Sequence, residues 1–142
     1  MTFMLQFRID GDPVPKGRPK FSSRGGFVKT YTPKKTADYE SIVRAAAQAA
    51  MGPTDLLETP LGVYLYIRLP IPQSHSKKRK EACLSGSEKP IKKPDIDNLA
   101  KSVLDGLNGV IWRDDSQIVS LHVTKVYASG TGVDVLIKEE LA

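Results

Sequence analysis

The chain has 142 residues, 40% of them hydrophobic and 26% charged, and a formal net charge of +5. That length holds one domain (residues 1–142) with a modest core, and the composition is that of an ordinary soluble protein. A single cysteine, Cys83, argues against an internal disulfide or a zinc site and fits a reducing cytoplasm, while the absence of a signal block and of a long apolar run argues against secretion and membrane spanning.

Thr2 to Ile9 alternates strictly, with Phe3, Leu5, Phe7 and Ile9 on one face, which predicts a half-buried strand. Asp10 to Lys20 is broken by Pro13, Pro15, Gly17 and Pro19 and reads as an irregular loop. Phe21 to Tyr31 reads as a hairpin turning at Arg24-Gly25-Gly26. Its Phe21, Phe27 and Tyr31 are expected to pack locally, with stacking on unpaired bases as the second reading. Thr32-Pro33 then starts a helix, cap followed by first-turn proline, carrying Tyr39, Ile42, Val43, Ala46 and Ala50 on one face and ending at Gly52-Pro53. Leu61, Val63, Leu65, Ile67 and Leu69 form a second strand, closed by Pro70 and Pro72. Gln73 to Pro94 is less regular: Ser76 caps a short basic helix through Leu84, and Ser85-Gly86-Ser87 reads as a mobile linker. His75 is expected to be solvent-exposed, and Cys83 to pack as a small apolar residue.

The chemistry concentrates between Lys92 and Gln117. Pro94 disfavours helix at Lys93, so Asp95 is the expected N-cap of a helix starting near Ile96. On that helix Asp97, Asn98, Lys101, Asp105 and Asn108 share one arc, with Ile96, Leu99, Ala100, Val103, Leu104 and Leu107 opposite, and Asn108-Gly109 stops it. Asp114 and Asp115 follow after a short connection. Gln117 to Tyr127 is a strand with Val119, Leu121 and Val123 on one face, and Val133 to Lys138 is the last strand. The element order predicts an α+β fold: a small mixed or mostly antiparallel sheet with helices packed on one face.

Several carboxylates converging with one lysine repel each other unless a cation sits among them. Their donors are oxygens only, with no His or Cys alongside, so a hard ion such as Mg²⁺ or Mn²⁺ suits them. A purely structural surface has no reason to crowd Asp95 with Asp97 and Asp114 with Asp115, although i,i+4 pairing of Asp97, Lys101 and Asp105 is the competing interpretation. The basic residues flank this stretch. Lys16, Arg18, Lys20, Arg24, Lys29, Lys34 and Lys35 lie between Asp12 and Asp38 with no acid among them, and Lys77, Lys78, Arg79, Lys80, Lys89, Lys92 and Lys93 run into the acidic motif. Cations that hold a phosphate backbone beside carboxylates that hold a metal are what a phosphodiesterase needs.

Asp95-Ile96-Asp97-Asn98-Leu99-x-Lys101, then Leu104-Asp105-x-Leu107-Asn108-Gly109, then Asp114-Asp115-Ser116-Gln117-Ile118-Val119, resembles the signature of the RusA-type Holliday junction resolvases, small homodimeric Mg²⁺-dependent endonucleases of bacteria and phages. The resemblance implies that Asp95, Asp97 and Asp115 are the metal-binding catalytic carboxylates, that Lys101 is the catalytic lysine, and that a four-way DNA junction is the substrate of a homodimer. Asp114 is a further candidate metal ligand, and Lys16, Arg18, Lys20, Arg24, Lys77, Lys78, Arg79, Lys92 and Lys93 are the candidate DNA contacts. The alternatives from other classes are a non-catalytic nucleic-acid-binding module with a structural cation, and a metal-dependent enzyme acting on a small phosphate compound.

Overall fold

In the computed structural model the described residues are 2–18, 20–22, 24–26 and 29–141, with the backbone alone for 20–22, 24, 29 and 30. The elements in chain order are β1 (Met4–Asp10), β2 (Lys20–Ser22), β3 (Lys29–Tyr31), α1 (Lys34–Met51), β4 (Leu61–Pro70), α2 (Lys77–Ser85), α3 (Ile96–Leu107), β5 (Ile118–Ala128) and β6 (Gly132–Glu139).

Alternation in β1, β4 and β6 gives each strand one apolar edge-on row, and the sheet aligns these rows. Its order is β1-β6-β4-β5. β1 pairs antiparallel with β6, and β6 antiparallel with β4, but β4 and β5 run parallel. The sheet is therefore mixed, as the element order predicts. Residues opposite each other share a face, so Phe7, Val135, Leu65 and Val123 make one continuous row across all four strands.

The helices lie on one side of this sheet. Tyr39, Val43, Ala47 and Met51 of α1 and Leu99, Ala100, Val103 and Leu107 of α3 are buried with Leu61, Val63, Leu65, Ile67 and Leu69 of β4. Full burial of each large aliphatic side chain contributes about 1.5–3 kcal/mol, which makes the α3 stripe the anchor of the motif helix. Two expectations shift here. Ile96, expected in the core stripe, is exposed at the first position of α3, while Leu99, Ala100, Val103 and Leu107 of the same stripe are buried. α1 starts at Lys34 with Pro33 in the cap position and no side-chain cap bond, one residue later than the Thr32 cap predicts.

A parallel β4–β5 pair forces the chain to return to the end of the sheet where β4 began. The return runs from Ile71 to Gln117 and carries both α2 and α3. α1 and α3 cross closely at Gly106, where an added Cβ would lie 2.7 Å from Val43 Cβ. The predicted hairpin is present as β2 and β3, which form a separate two-stranded sheet, with Gly25 and Gly26 at φ 73° and 79°, a left-handed conformation that favours glycine. Ser76 caps α2 as expected, its Oγ accepting from Arg79 N at 3.2 Å. Ser85-Gly86-Ser87, expected to be a mobile linker, is instead the ordered end of α2: Gly86 is a left-handed C-cap, and Glu88 N donates back to Ala82 O at 3.0 Å.

Candidate active site

Asp95 occupies the N-cap of α3, yet its side chain makes no capping hydrogen bond. A residue that normally satisfies a helix terminus thus keeps its carboxylate oxygens for another partner, at a helix end that already favours negative charge. The approach to it is held from outside. Lys125 of β5 donates its Nζ to Lys92 O at 3.1 Å and to Pro94 O at 3.0 Å. Across the first turn, Lys16 N donates to Asn98 O at 2.8 Å, and buried Ser102 donates Oγ to Val14 O at 2.6 Å. These bonds bring the loop after β1 against α3 and leave a cleft of about 590 Å³ between them. Asp95 and Asn98 line it, along with Lys35, Lys92, Lys93 and Tyr127. The sequence offered no signal for Lys125, which is one of several polar residues on its strand.

Further along α3, Asp97 and Lys101 are exposed. Among the described residues no ion pair joins Asp97 to Lys101 or Lys101 to Asp105, the pairing the purely structural interpretation needs. Asp105 goes to Lys16 instead: Lys16 Nζ lies 2.9 Å from Asp105 Oδ2 and 2.7 Å from Glu40 Oε1, with all three side chains largely covered. Burial works to lower the Lys16 pKa, but its hydrogen bonds to Glu40 and Asp105 outweigh that and the net direction is upward. Lys16 therefore acts as an internal clamp between α1 and α3, and its ammonium is already paired.

Asp114 and Asp115 open a short 3₁₀ turn before β5. Asp114 accepts from Ser116 N at 3.0 Å while Gln117 Oε1 accepts from Asp114 N at 3.0 Å, a reciprocal capping box. The bond from Ser116 holds the Asp114 carboxyl below its ordinary range. Asp115 Oδ1 accepts from the indole Nε1 of fully buried Trp112 at 2.8 Å. Burial pushes the Asp115 carboxyl up, the Trp112 bond opposes it, and the nearby charges of Asp105 and Asp114 add to the rise. Asp115 is thus within electrostatic reach of Asp105 on α3. Among the described residues, no three of the motif's acids bring ligand atoms within 4.8 Å of one another.

Comparison with known proteins bears on this arrangement. The family described as "Endodeoxyribonuclease RusA" matches residues 10–138. The chain belongs to the RusA endodeoxyribonuclease family. It is also 37% identical over 137 residues to a protein of Bacillus subtilis (strain 168) named "Uncharacterized protein YqaN", covering 95% of this chain and 96% of that one. The RusA match spans every element from the end of β1 to nearly the end of β6, so the acidic signature sits inside the family's own extent.

The donor set on the RusA motif suits a hard divalent cation: carboxylate oxygens, one of them on a cap residue that spends no hydrogen bond on its helix. Of the candidate DNA contacts, Lys92 and Lys93 are exposed on the cleft, and Arg18, Lys77 and Lys78 are exposed elsewhere. Lys16 is engaged by Glu40 and Asp105, and Arg79 by Glu88, where its Nε and Nη2 each lie 3.1 Å from a carboxylate oxygen. The side chains of Lys20 and Arg24 lie outside the described residues, as do those of Phe21 and Phe27. Lys35, absent from the predicted contacts, lines the cleft.

Proposed function

We propose that this chain is a Mg²⁺-dependent, structure-selective DNA endonuclease that resolves four-way (Holliday) junctions by phosphodiester hydrolysis, in the service of DNA recombination and repair. The observation that carries this reading is the lysine-edged cleft into which α3 turns Asp95, a carboxylate its own helix leaves unused. Asp95 and Asp97 are the residues to hold the ion, with Asp115 and Asp114 from the turn before β5 as the further ligands of the family pattern. A bound Mg²⁺ (or Mn²⁺) supplies polarisation of the scissile phosphate and a lowered pKa for the attacking water. Lys101, exposed one turn from Asp97, stabilises charge on the phosphate. Lys35, Lys92 and Lys93 hold the backbone on either side.

Cutting matched strands of a junction calls for two sites related by a two-fold axis, so the working form is a homodimer. Val119 and Leu121, exposed at 65% and 44% on the edge strand β5, are the apolar residues such an interface would cover. No described helix is long and apolar enough to cross a membrane, in keeping with a cytoplasmic nuclease of bacterial or phage origin.

A non-catalytic nucleic-acid-binding module is the second reading, favoured by one observation: one carboxylate oxygen of Asp115 is already held by the Trp112 indole. One assay separates the two. A labelled four-way junction is incubated with the protein, with and without Mg²⁺, beside Asp97→Asn. The nuclease nicks opposing strands only with metal, and the variant binds but does not cut. Binding without cleavage by the wild type under any divalent ion would establish the module.

A further inference from the structure

We propose that His75, Cys83 and Glu88 form a second, separate cation site that takes a borderline divalent metal, with Zn²⁺ the best match. The sequence argued against this, because one cysteine and a histidine expected in solvent make no recognisable zinc pattern. Folding brings them together at the two ends of α2. His75 is only 9% exposed and Cys83 only 2%. His75 Nδ1 lies 3.7 Å from Cys83 Sγ and 3.7 Å from Glu88 Oε2, and Cys83 Sγ lies 3.4 Å from that same oxygen.

Those three distances are close to the edges of one face of a ligand tetrahedron. Zinc bonds of about 2.3 Å to sulfur and about 2.0–2.2 Å to nitrogen and oxygen place neighbouring ligand atoms roughly 3.4–3.6 Å apart at tetrahedral angles. Nitrogen, thiolate sulfur and a carboxylate oxygen are also the mixed donors that zinc accepts and magnesium does not. With three protein ligands, the fourth position is left for water.

The scaffold holds each ligand in place without a metal. His75 N donates to Pro72 O at 3.1 Å, fixing the turn before the Ser76 cap. Cys83 sits in the last turns of α2, and the Gly86 cap with the Glu88-to-Ala82 bond folds Glu88 back over it. Arg79 grips the Glu88 carboxylate from the solvent side, orienting it as an outer partner orients a ligand, and Oε2 retains a lone pair for the ion. Metal would then staple the start of the run that leads through Pro90 to Asp95, with Tyr127 bridging the two places: its ring meets His75 edge-on at a centroid distance of 6.3 Å and also lines the active-site cleft. In the metal-free protein the same atoms are joined by a thiol proton from Cys83 to Glu88.

Cobalt titration of chelator-stripped protein tests this. The expected result is a thiolate-to-cobalt charge-transfer band that saturates at one ion per chain and is displaced by Zn²⁺. It should be retained in Asp97→Asn, lost in Cys83→Ser and His75→Gln, and weakened at least tenfold in Glu88→Gln. Zn²⁺ should raise the thermal midpoint of the wild type but not of Cys83→Ser, whose own midpoint in chelator reports that it is folded. Absence of the band in the wild type, its survival in Cys83→Ser, or its loss in Asp97→Asn would each overturn the site. Mg²⁺-dependent junction cleavage is read separately, so either proposal can fail alone.

Discussion

Replacing Lys16 with methionine separates two roles for one residue. The sequence suggests a phosphate contact, whereas the structure puts its ammonium between Glu40 and Asp105, at 2.7 and 2.9 Å, with side-chain exposures of 19%, 18% and 29%. Breaking a fully buried ion pair costs about 3–5 kcal/mol and an exposed one about 0.2–1 kcal/mol. At this burial, with two carboxylates left facing each other, Lys16→Met should cost about 2 kcal/mol. For a chain of this length that lowers the thermal midpoint by roughly 6–8 °C. The pH dependence has a definite sign. The folded Lys16 pKa is raised above its ordinary 10.5, so the stabilisation is complete below that value and is lost as pH rises through the folded pKa. The gap between wild type and variant should hold across neutral pH and close in strong alkali. Thermal melts monitored by circular dichroism, beside junction-binding titrations, measure both effects. A variant that melts like the wild type but binds junctions far more weakly would refute the clamp and restore Lys16 as a DNA contact.

Gly106→Ala should destabilise by about 1–3 kcal/mol, despite alanine's better helix propensity, because the new methyl meets Val43 Cβ and Cγ1 at 2.7 Å and Glu40 O at 3.1 Å; urea unfolding measures it. Asp115→Asn should raise the thermal midpoint at neutral pH in metal-free buffer, and in Mg²⁺ it should abolish junction cleavage. Burial raises the Asp115 carboxyl above its ordinary 3.8, so its ionised form costs stability that the amide avoids, and the gain should vanish below that pH. Lys125→Met should release the Lys92 and Pro94 carbonyls, costing about 1 kcal/mol in stability and slowing cleavage more than it weakens junction binding.

Periodicity made most of the architecture readable. The alternation of Phe3, Leu5, Phe7 and Ile9, the Leu61-to-Leu69 row and the α3 stripe each name a buried face directly, and Ser76 and Gly25-Gly26 mark a helix cap and a turn by local chemistry. What escaped was decided by contacts distant in the chain. Nothing local in His75 says that α2 will dock against β5 and cover it, nor that Glu88 will fold back to meet it. Lys16 reads as one member of a basic run until Glu40 and Asp105 converge on it from two other elements. The acids of the motif are legible in the sequence as a pattern. Their spacing in space is not, because it depends on how the chain returns from the end of β4 to the start of β5.

That return journey has an evolutionary corollary. The ladder between β4 and β5 fixes only where the excursion departs and where it lands, so the exposed face of α2, with Lys77 and Lys78, can acquire new charges without disturbing a single interstrand bond. Substrate preference in such a protein is free to drift while the sheet stays the same.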